Sequence, residues 1–332
     1  MQITSQPNEL TAGEIKAEAA RLGFCALGVA SATCDEQMTV LLSRRPRPPF
    51  VGWQPDCRCR PQAWLPGARS VLVGAYPYHQ RYSRQFRPGQ GHISPFAQEP
   101  DYHHLVFAKL ELLGRFLQQV KPGVNYIIQV DSGPGCERLF ALKAGVGWQG
   151  KNNFVIVPGH GSLVWLGLLT TDLELPPDQP LPSQCGDCDL CLRACPTGAY
   201  AAANDFDHNR CMSYWASRKE EPSREQARFL SKHGIIYGCD FCQLPCLHNR
   251  LTGEDTDSGP ALAELLKMPR REFENFFKQT AAGWRGYNVL KRNVILAAAG
   301  RPELREMLER LAEGEDIVSK YARVILGCPG DE

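Results

Sequence analysis

The stretch CGDCDLCLRACP (185–196) sets Cys185, Cys188, Cys191 and Cys195 at intervals of three, three and four residues, with Pro196 behind the last. Thiolates so spaced on a short turn hold three corners of an iron–sulfur cube, and the fourth of such a run serves a different cluster. The missing partners lie downstream. YGCDFCQLPCLHN (237–249) carries Cys239, Cys242 and Cys246, and Cys211 stands between the two groups, so eight cysteines fall within 62 residues. Eight is the number that two [4Fe–4S] clusters require. The crossover rule gives Cys185, Cys188, Cys191 and Cys246 to one cluster and Cys195, Cys211, Cys239 and Cys242 to the other. Thiolates also suit zinc, and paired Cys-x-x-Cys groups occur in zinc ribbons. A three-cysteine run closed by Cys-Pro is a poor zinc signature. Cys25, Cys34, Cys57, Cys59, Cys136 and Cys328 lie outside both groups and read as packing or inert thiols.

Two clusters move single electrons, so the chemistry belongs elsewhere in a chain of 332 residues, a length that fits about two domains. Hydrophobic content of 43% and charged content of 22% are ordinary soluble values. No run reaches the roughly 18 apolar residues of a membrane helix, and the N-terminal stretch has no signal-peptide pattern. Fourteen cysteines then argue for a reducing compartment and metal rather than disulfides. The expectation is a cytoplasmic protein without membrane contact.

Before the cysteines, helices alternate with strands. Thr11-x-x-Glu14 is a capping box ahead of a helix to about Leu22. SVLVGAY (70–76), YIIQV (126–130), FVIV (154–157) and SLVWLGLL (162–169) read as strands, and the segments 102–119 and 136–145 as helices. A Pro-rich stretch, ELPPDQPLP (174–182), reads as a linker, and 260–327 as short amphipathic helices. The fold class is α+β: an α/β domain over 1–173, a two-cluster ferredoxin-like domain over 174–250 and a helical HEAT-like element over 251–332. No G-x-G-x-x-G follows a strand, so a Rossmann nucleotide site is not indicated.

Net charge is +1, yet it is unevenly spread. Residues 41–90 hold nine arginines (Arg44, Arg45, Arg47, Arg58, Arg60, Arg69, Arg81, Arg84, Arg87) against one acid, Asp56. Residues 265–300 hold seven basic residues against Glu272 and Glu274. Such islands are either solvated faces or a phosphate-binding surface.

The segment VDSGPGCERLFALKAGVGWQGKNNFVIV (130–157), followed by this cysteine pattern, resembles the epoxyqueuosine reductases, a family related in fold to the reductive dehalogenases. LPGARSVLV (65–73), ISPFAQEPDYHHLV (93–106), RCMSYW (210–215), YGCDFCQ (237–243) and LKRNVILA (290–297) extend the resemblance over nearly the whole chain. It implies a base-off cobalamin in the α/β domain, reduced to Co(I) by electrons relayed through the two clusters. It further implies reduction of epoxyqueuosine in a tRNA anticodon loop to queuosine. A departing oxygen needs a proton, and Asp131, in the family's Val-Asp-x-x-Pro motif, matches its proton donor. A carboxyl donates near neutrality only when burial raises its pKa; capping of the following helix is the plainer role. Gly150, Lys151 and Asn152 match the turn that approaches the corrin. Ser213, Asp240 and Phe241 beside cluster ligands, Arg60 and Tyr102 are further cobalamin contacts by resemblance. His103 and His104 are not cobalt ligands in this reading.

The resemblance also gives the basic islands a use, since an anticodon loop is held by backbone contacts and splayed bases. Arg285, Lys291 and Arg292 join the 41–90 arginines as candidate phosphate contacts, and Trp284 and Tyr287 read as helix core before stacking groups. The remaining expectations are an external electron donor such as flavodoxin or ferredoxin, and a monomer. Three places depart from the family pattern: Leu247-His248 after Cys246, ASRKEEP (216–222) after the tryptophan, and Cys136. The second leaves room for an alternative, a related corrinoid iron–sulfur reductase with a small-molecule substrate.

Overall fold

The structure, a computed structural model, describes residues 10–34, 52–78, 89–98, 100–249 and 259–327. Arg44, Arg45, Arg47, Arg81, Arg84, Arg87 and Cys328 lie outside the described residues, as do residues 250–258. The chain forms two compact units, residues 1–77 with 103–188, and residues 78–102 with 189–332.

The first unit is built on a four-stranded sheet ordered β1 (Ala26–Ser31), β2 (Ser70–Pro77), β7 (Val164–Thr171) and β4 (Tyr126–Gln129). Every pairing is antiparallel, with Ala26 opposite Ala75, Ser70 opposite Thr171 and Tyr126 opposite Thr171. The helix α1 (Ala12–Arg21) begins at the expected capping box: Glu14 N–H donates to Thr11 Oγ1 at 3.2 Å, and Thr11 N–H donates to Glu14 Oε2 at 2.9 Å. A short helix, α2 (Pro55–Cys59), follows β1. The long helix α3 (Tyr102–Val120) fully buries Val106, Leu110, Leu113 and Leu117. Each such residue stabilises the fold by about 1.5–3 kcal/mol. A separate core places Phe140 and Ala141 of α4 (Glu137–Lys143) against Val71, Val73, Ala75 and Leu168 of the sheet. A small hairpin, β5 (Trp148–Gln149) and β6 (Val155–Ile156), carries the GWQGKN turn.

Two expectations change here. The Pro-rich stretch 174–182 is no free tether, because Asp178 is pinned along β1. Its N–H donates to Val29 O at 2.8 Å, and its carboxylate accepts Val29 N–H at 2.8 Å and Lys16 Nζ at 2.6 Å. A strand edge is thereby covered. Cys34 and Cys59, expected as thiols, are joined as a disulfide.

The second unit includes residues 78–102, which the sequence reading placed with the sheet. The reason is pairing: β3 (His92–Ile93) runs parallel to β10 (Ile235–Tyr237), and Gly91 N–H donates to Pro260 O at 3.0 Å. The cysteine-rich part contributes α5 (Leu190–Arg193), the hairpin β8 (Tyr200–Ala202) and β9 (Asp205–Phe206), α6 (Met212–Ser217) and α7 (Arg224–Lys232). Helices α8 (Leu262–Lys267), α9 (Arg270–Lys278), α10 (Gly286–Ala298), α11 (Arg305–Ala312) and α12 (Ile317–Gly327) complete it. From Val289 to Ala298 every residue of α10 is buried, so this helix is the axis of the tail.

Candidate functional site

The sequence from Gln129 to Glu137 folds back on its own strand. Gln129, the last residue of β4, is buried, and its Oε1 accepts Gly135 N–H at 2.7 Å. A Cβ on Gly135 would lie 2.6 Å from that same Oε1 and 2.6 Å from Leu168 Cδ1, so only glycine fits the return. The turn presents Asp131 at φ +49°, a left-handed backbone unusual for a non-glycine residue. The Asp131 side chain is 67% exposed, where a buried carboxyl was expected, and His103 Nε2 of α3 stands 4.0 Å from its Oδ2. Asp131 does not cap α4 either, since Cys136 occupies the N-cap.

Around this loop the unit is tied together. Asp131 N–H donates to Glu137 Oε1 at 2.8 Å, Cys136 N–H donates to Arg58 O at 3.1 Å, and Arg138 donates to Asn153 O at 3.2 Å. The last contact links α4 to the GWQGKN turn. There Gly150 N–H donates to Phe154 O at 2.8 Å, and the buried Asn152 accepts Phe154 N–H at 3.3 Å. A Cβ on Gly150 would meet Asn152 Oδ1 at 2.7 Å, so glycine is required for the turn itself. Lys151 is half-buried and Arg60 exposed.

In the second unit, Cys195, Cys211, Cys239 and Cys242 come together. Burial first, and the neighbouring thiols after it, push Cys239 well up from its ordinary value. Burial likewise raises Cys211 and Cys242, and both feel Cys195. Backbone N–H groups face these sulfurs: Ala199 donates to Cys195 Sγ at 3.3 Å, and the amides of Ser213 and Tyr214, in the first turn of α6, favour the Cys211 thiolate. The amide of Phe241 does the same for Cys239. Such donors are what a cluster's sulfurs need. Among the described residues no three His, Cys, Asp or Glu side chains converge as ligands of one ion do; thiols around a cube bind four separate irons and stand further apart. Of the other group, Cys185 and Cys188 end the first unit, with Cys188 N–H donating to Cys185 O at 3.1 Å. Cys191 and Cys246 belong to the second unit, and both are partly buried.

The remaining candidates divide by environment. Asp240 is buried and accepts Ser94 Oγ at 2.6 Å, Gln243 Nε2 at 3.2 Å and His92 Nε2 at 3.1 Å, which locks β3 to the cysteine loop. Tyr102 is buried edge-on to Phe96, Phe241 packs edge-on to His233, and Ser213 O accepts Ser217 Oγ at 2.7 Å.

Lys291 and Arg292 are each 1% exposed, which overturns their reading as phosphate contacts. Lys291 donates to Leu265 O and Leu266 O at the end of α8, and Arg292 to Arg218 O, Lys219 O and Glu220 O after α6. Backbone carbonyls at helix ends are natural partners for buried cations. The divergent stretch 216–222 is therefore fastened to α10. Trp284 departs from expectation in the other direction: it is 55% exposed, with its indole N–H donating to Tyr237 Oη at 2.7 Å and the Arg285 guanidinium 4.2 Å above its ring. Beside it a cavity of about 340 Å³ is lined by Lys219, Arg270, Arg285, Tyr287, Asn288 and Tyr321, among others. Tyr287 is half-buried against Phe273, with Arg270 over its ring.

The sequence reading passed over Glu137 and His103 as neighbours of Asp131. An acid opening a helix looks like ordinary dipole compensation, and only the turn's return brings it to the Asp131 N–H.

Comparison with known proteins supplies the context for these sites. Residues 58–132 match the family description "Epoxyqueuosine reductase QueG, DUF1730", and residues 184–249 match "4Fe-4S double cluster binding domain". An epoxyqueuosine reductase of Gloeobacter violaceus is 36% identical over 310 residues, covering 87% of this chain and 97% of the relative. That of Escherichia coli is 36% identical over 258 residues, covering 74% and 68%. A crystal structure of an epoxyqueuosine reductase with a tRNA-Tyr epoxyqueuosine-modified stem loop superposes at TM-score 0.86 and 28% identity, covering 95% of this chain and 89% of that one. A Bacillus subtilis epoxyqueuosine reductase with an aspartate-bearing catalytic loop swung out of the active site superposes at 0.81 and 27% identity, covering 96% and 90%. The folded-back Asp131 loop, the paired cysteine groups and a likeness spanning nearly both chains agree: this protein belongs to the epoxyqueuosine reductase family.

Proposed function

We propose that the chain reduces epoxyqueuosine in a tRNA anticodon loop to queuosine, with base-off cobalamin as the reducing cofactor and two [4Fe–4S] clusters as the electron relay. The observation that carries this reading is the Asp131 carboxyl, displayed on a turn fixed by Gln129 and Gly135 in a chain that also gathers four thiols under N–H donors. Two electrons and two protons convert the epoxide to an alkene and water; Asp131 supplies a proton to the departing oxygen. That the Bacillus subtilis relative has an aspartate on a catalytic loop supports this role. Cys195, Cys211, Cys239 and Cys242 hold one cluster, and Cys185, Cys188, Cys191 and Cys246 the other.

The first unit suits an amide-fringed cofactor. Lys151, next to Gly150 in the hairpin turn, and Arg60 offer donors, and the Gln129 Nε2 is buried without a hydrogen-bond partner beneath the Asp131 turn. When bound, cobalamin supplies a strongly reducing cobalt centre. For Asp240 and Tyr102, buried among protein partners, the contribution is to shape the second unit. An external flavodoxin or ferredoxin feeds the relay, and the protein acts as a cytoplasmic monomer. Among the described residues no helix is long and apolar enough to cross a membrane.

The relative crystallised with a tRNA stem loop supports an RNA substrate over a small molecule. On this chain the RNA-facing groups are Trp284 and Arg285, with Lys219 and Arg270 at the adjacent cavity. Base stacking on an exposed aromatic is worth about 1–3 kcal/mol, so Trp284→Ala should weaken tRNA binding about tenfold or more and leave cofactor spectra unchanged. Unaltered affinity in a filter-binding titration would remove Trp284 from the interface. The reading as a whole is tested by anaerobic loading with iron, sulfide and cobalamin, followed by reduction in the presence of epoxyqueuosine-containing tRNA. Cofactor uptake with the modified base untouched would sink it and favour a small-molecule substrate.

A further inference from the structure

Glu137 opens α4, and its side chain turns back onto the loop that presents Asp131. The Asp131 N–H donates to Glu137 Oε1 at 2.8 Å. Asp131 holds φ +49°, a conformation that costs a non-glycine residue roughly 1–2 kcal/mol and therefore needs a local restraint. The geometry points to Glu137 as the positioning residue of the Asp131 acid, its carboxyl fixing the left-handed turn from which Asp131 meets the substrate. This inference rests on the proposed role of Asp131 as proton donor.

The surroundings give Glu137 a second property. Burial first, and the Asp131 carboxylate second, push it up to about 7, while Arg58 of α2 pulls it back. Among the described residues, His103 Nε2 of α3 stands 4.0 Å from the Asp131 carboxyl, and the Arg138 guanidinium is engaged with Asn153 O. Raised in this way, Glu137 keeps its proton as pH approaches 7 and loses it above. Glu137 thus orients the acid and carries a proton beside it up to near neutrality.

The test compares two substitutions in the loaded enzyme. Glu137→Ala removes the acceptor, and kcat should fall by about 10–100-fold, the scale of a small misplacement of a reacting group, with KM for tRNA and cofactor content unchanged. Glu137→Gln keeps an oxygen for the Asp131 N–H and should restore most of kcat at acidic pH. Its alkaline limb should move to lower pH, because the group whose proton is held to about 7 is gone. In cofactor-free protein, infrared titration should show a protonated-carboxyl band that disappears near pH 7 in the wild type and is missing in Glu137→Gln. Full kcat in Glu137→Ala, an unshifted pH limb in Glu137→Gln, or no such band overturns the inference. Should Glu137→Ala fail to fold, the Gln variant's pH profile and infrared titration decide. Asp131→Asn, measured alongside, separates the two levels: if it is inactive while both Glu137 variants are fully active, only the Glu137 inference fails, whereas full activity in Asp131→Asn removes both.

Discussion

Asp131→Asn is expected to keep its iron, cobalamin and tRNA affinity and to lose turnover by about 10²–10⁴-fold, the range that a positioned general acid contributes. The substitution is a clean one for a backbone reason. Asp131 sits at φ +49°, and asparagine tolerates the left-handed region as well as aspartate does. The turn, its N–H bond to Glu137 and the Gln129–Gly135 return should all survive, so a loss of rate would belong to the missing acid. Asp131→Ala would confound this by adding backbone strain. Single-turnover kinetics on epoxyqueuosine tRNA, with iron and cobalamin quantified in each sample, provide the check; near-wild-type turnover in Asp131→Asn would remove this residue as the donor.

Arg292→Ala should cost stability and not affinity. The guanidinium is fully buried and donates to three successive backbone carbonyls, at 3.1, 3.3 and 2.8 Å, and to Asn293 Oδ1 at 3.1 Å. Asn293 in turn donates to Ala216 O and Ile236 O, both at 2.8 Å. Truncating the arginine leaves those acceptors unpaired inside the protein, a loss of about 3–5 kcal/mol by the measure of broken buried polar networks. The expected result is a clear fall in Tm and looser attachment of 216–222, with tRNA affinity of the folded fraction unchanged. An unaltered Tm with weakened tRNA binding would instead return Arg292 to the RNA-facing surface.

These two residues mark where the sequence was legible and where it was not. Asp131 could be singled out because the family's Val-Asp-x-x-Pro pattern falls on it. The grouping of Cys195 with Cys211, Cys239 and Cys242 could be proposed from sequence because the last cysteine of such a run serves a different cluster from the first three. The capping box at Thr11 and the strands over 70–77 and 164–171 could be read because local hydrogen bonding and apolar runs specify them. Arg292 and Lys291 were misread because a basic pair in a helix looks the same whether it faces solvent or carbonyls at the ends of neighbouring helices. Trp284 was misread for the converse reason: its exposure depends on the 3₁₀ turn Gly283–Arg285 that precedes α10, a break no helical periodicity reveals. Residues 78–102 join the second unit through a two-residue parallel pairing too short to leave a pattern. Glu137 needed the loop's return before its proximity to Asp131 had meaning.

The most direct measurement follows the epoxide oxygen. The chain, loaded anaerobically with both cofactors and reduced, is mixed with tRNA carrying epoxyqueuosine, and the modified nucleoside is weighed by mass spectrometry after digestion. The wild type should lose one oxygen atom from the modified base to give queuosine, and Asp131→Asn should leave the epoxide intact over the same interval. A fully loaded, reducible wild-type protein that leaves the epoxide unchanged would contradict the proposed reaction.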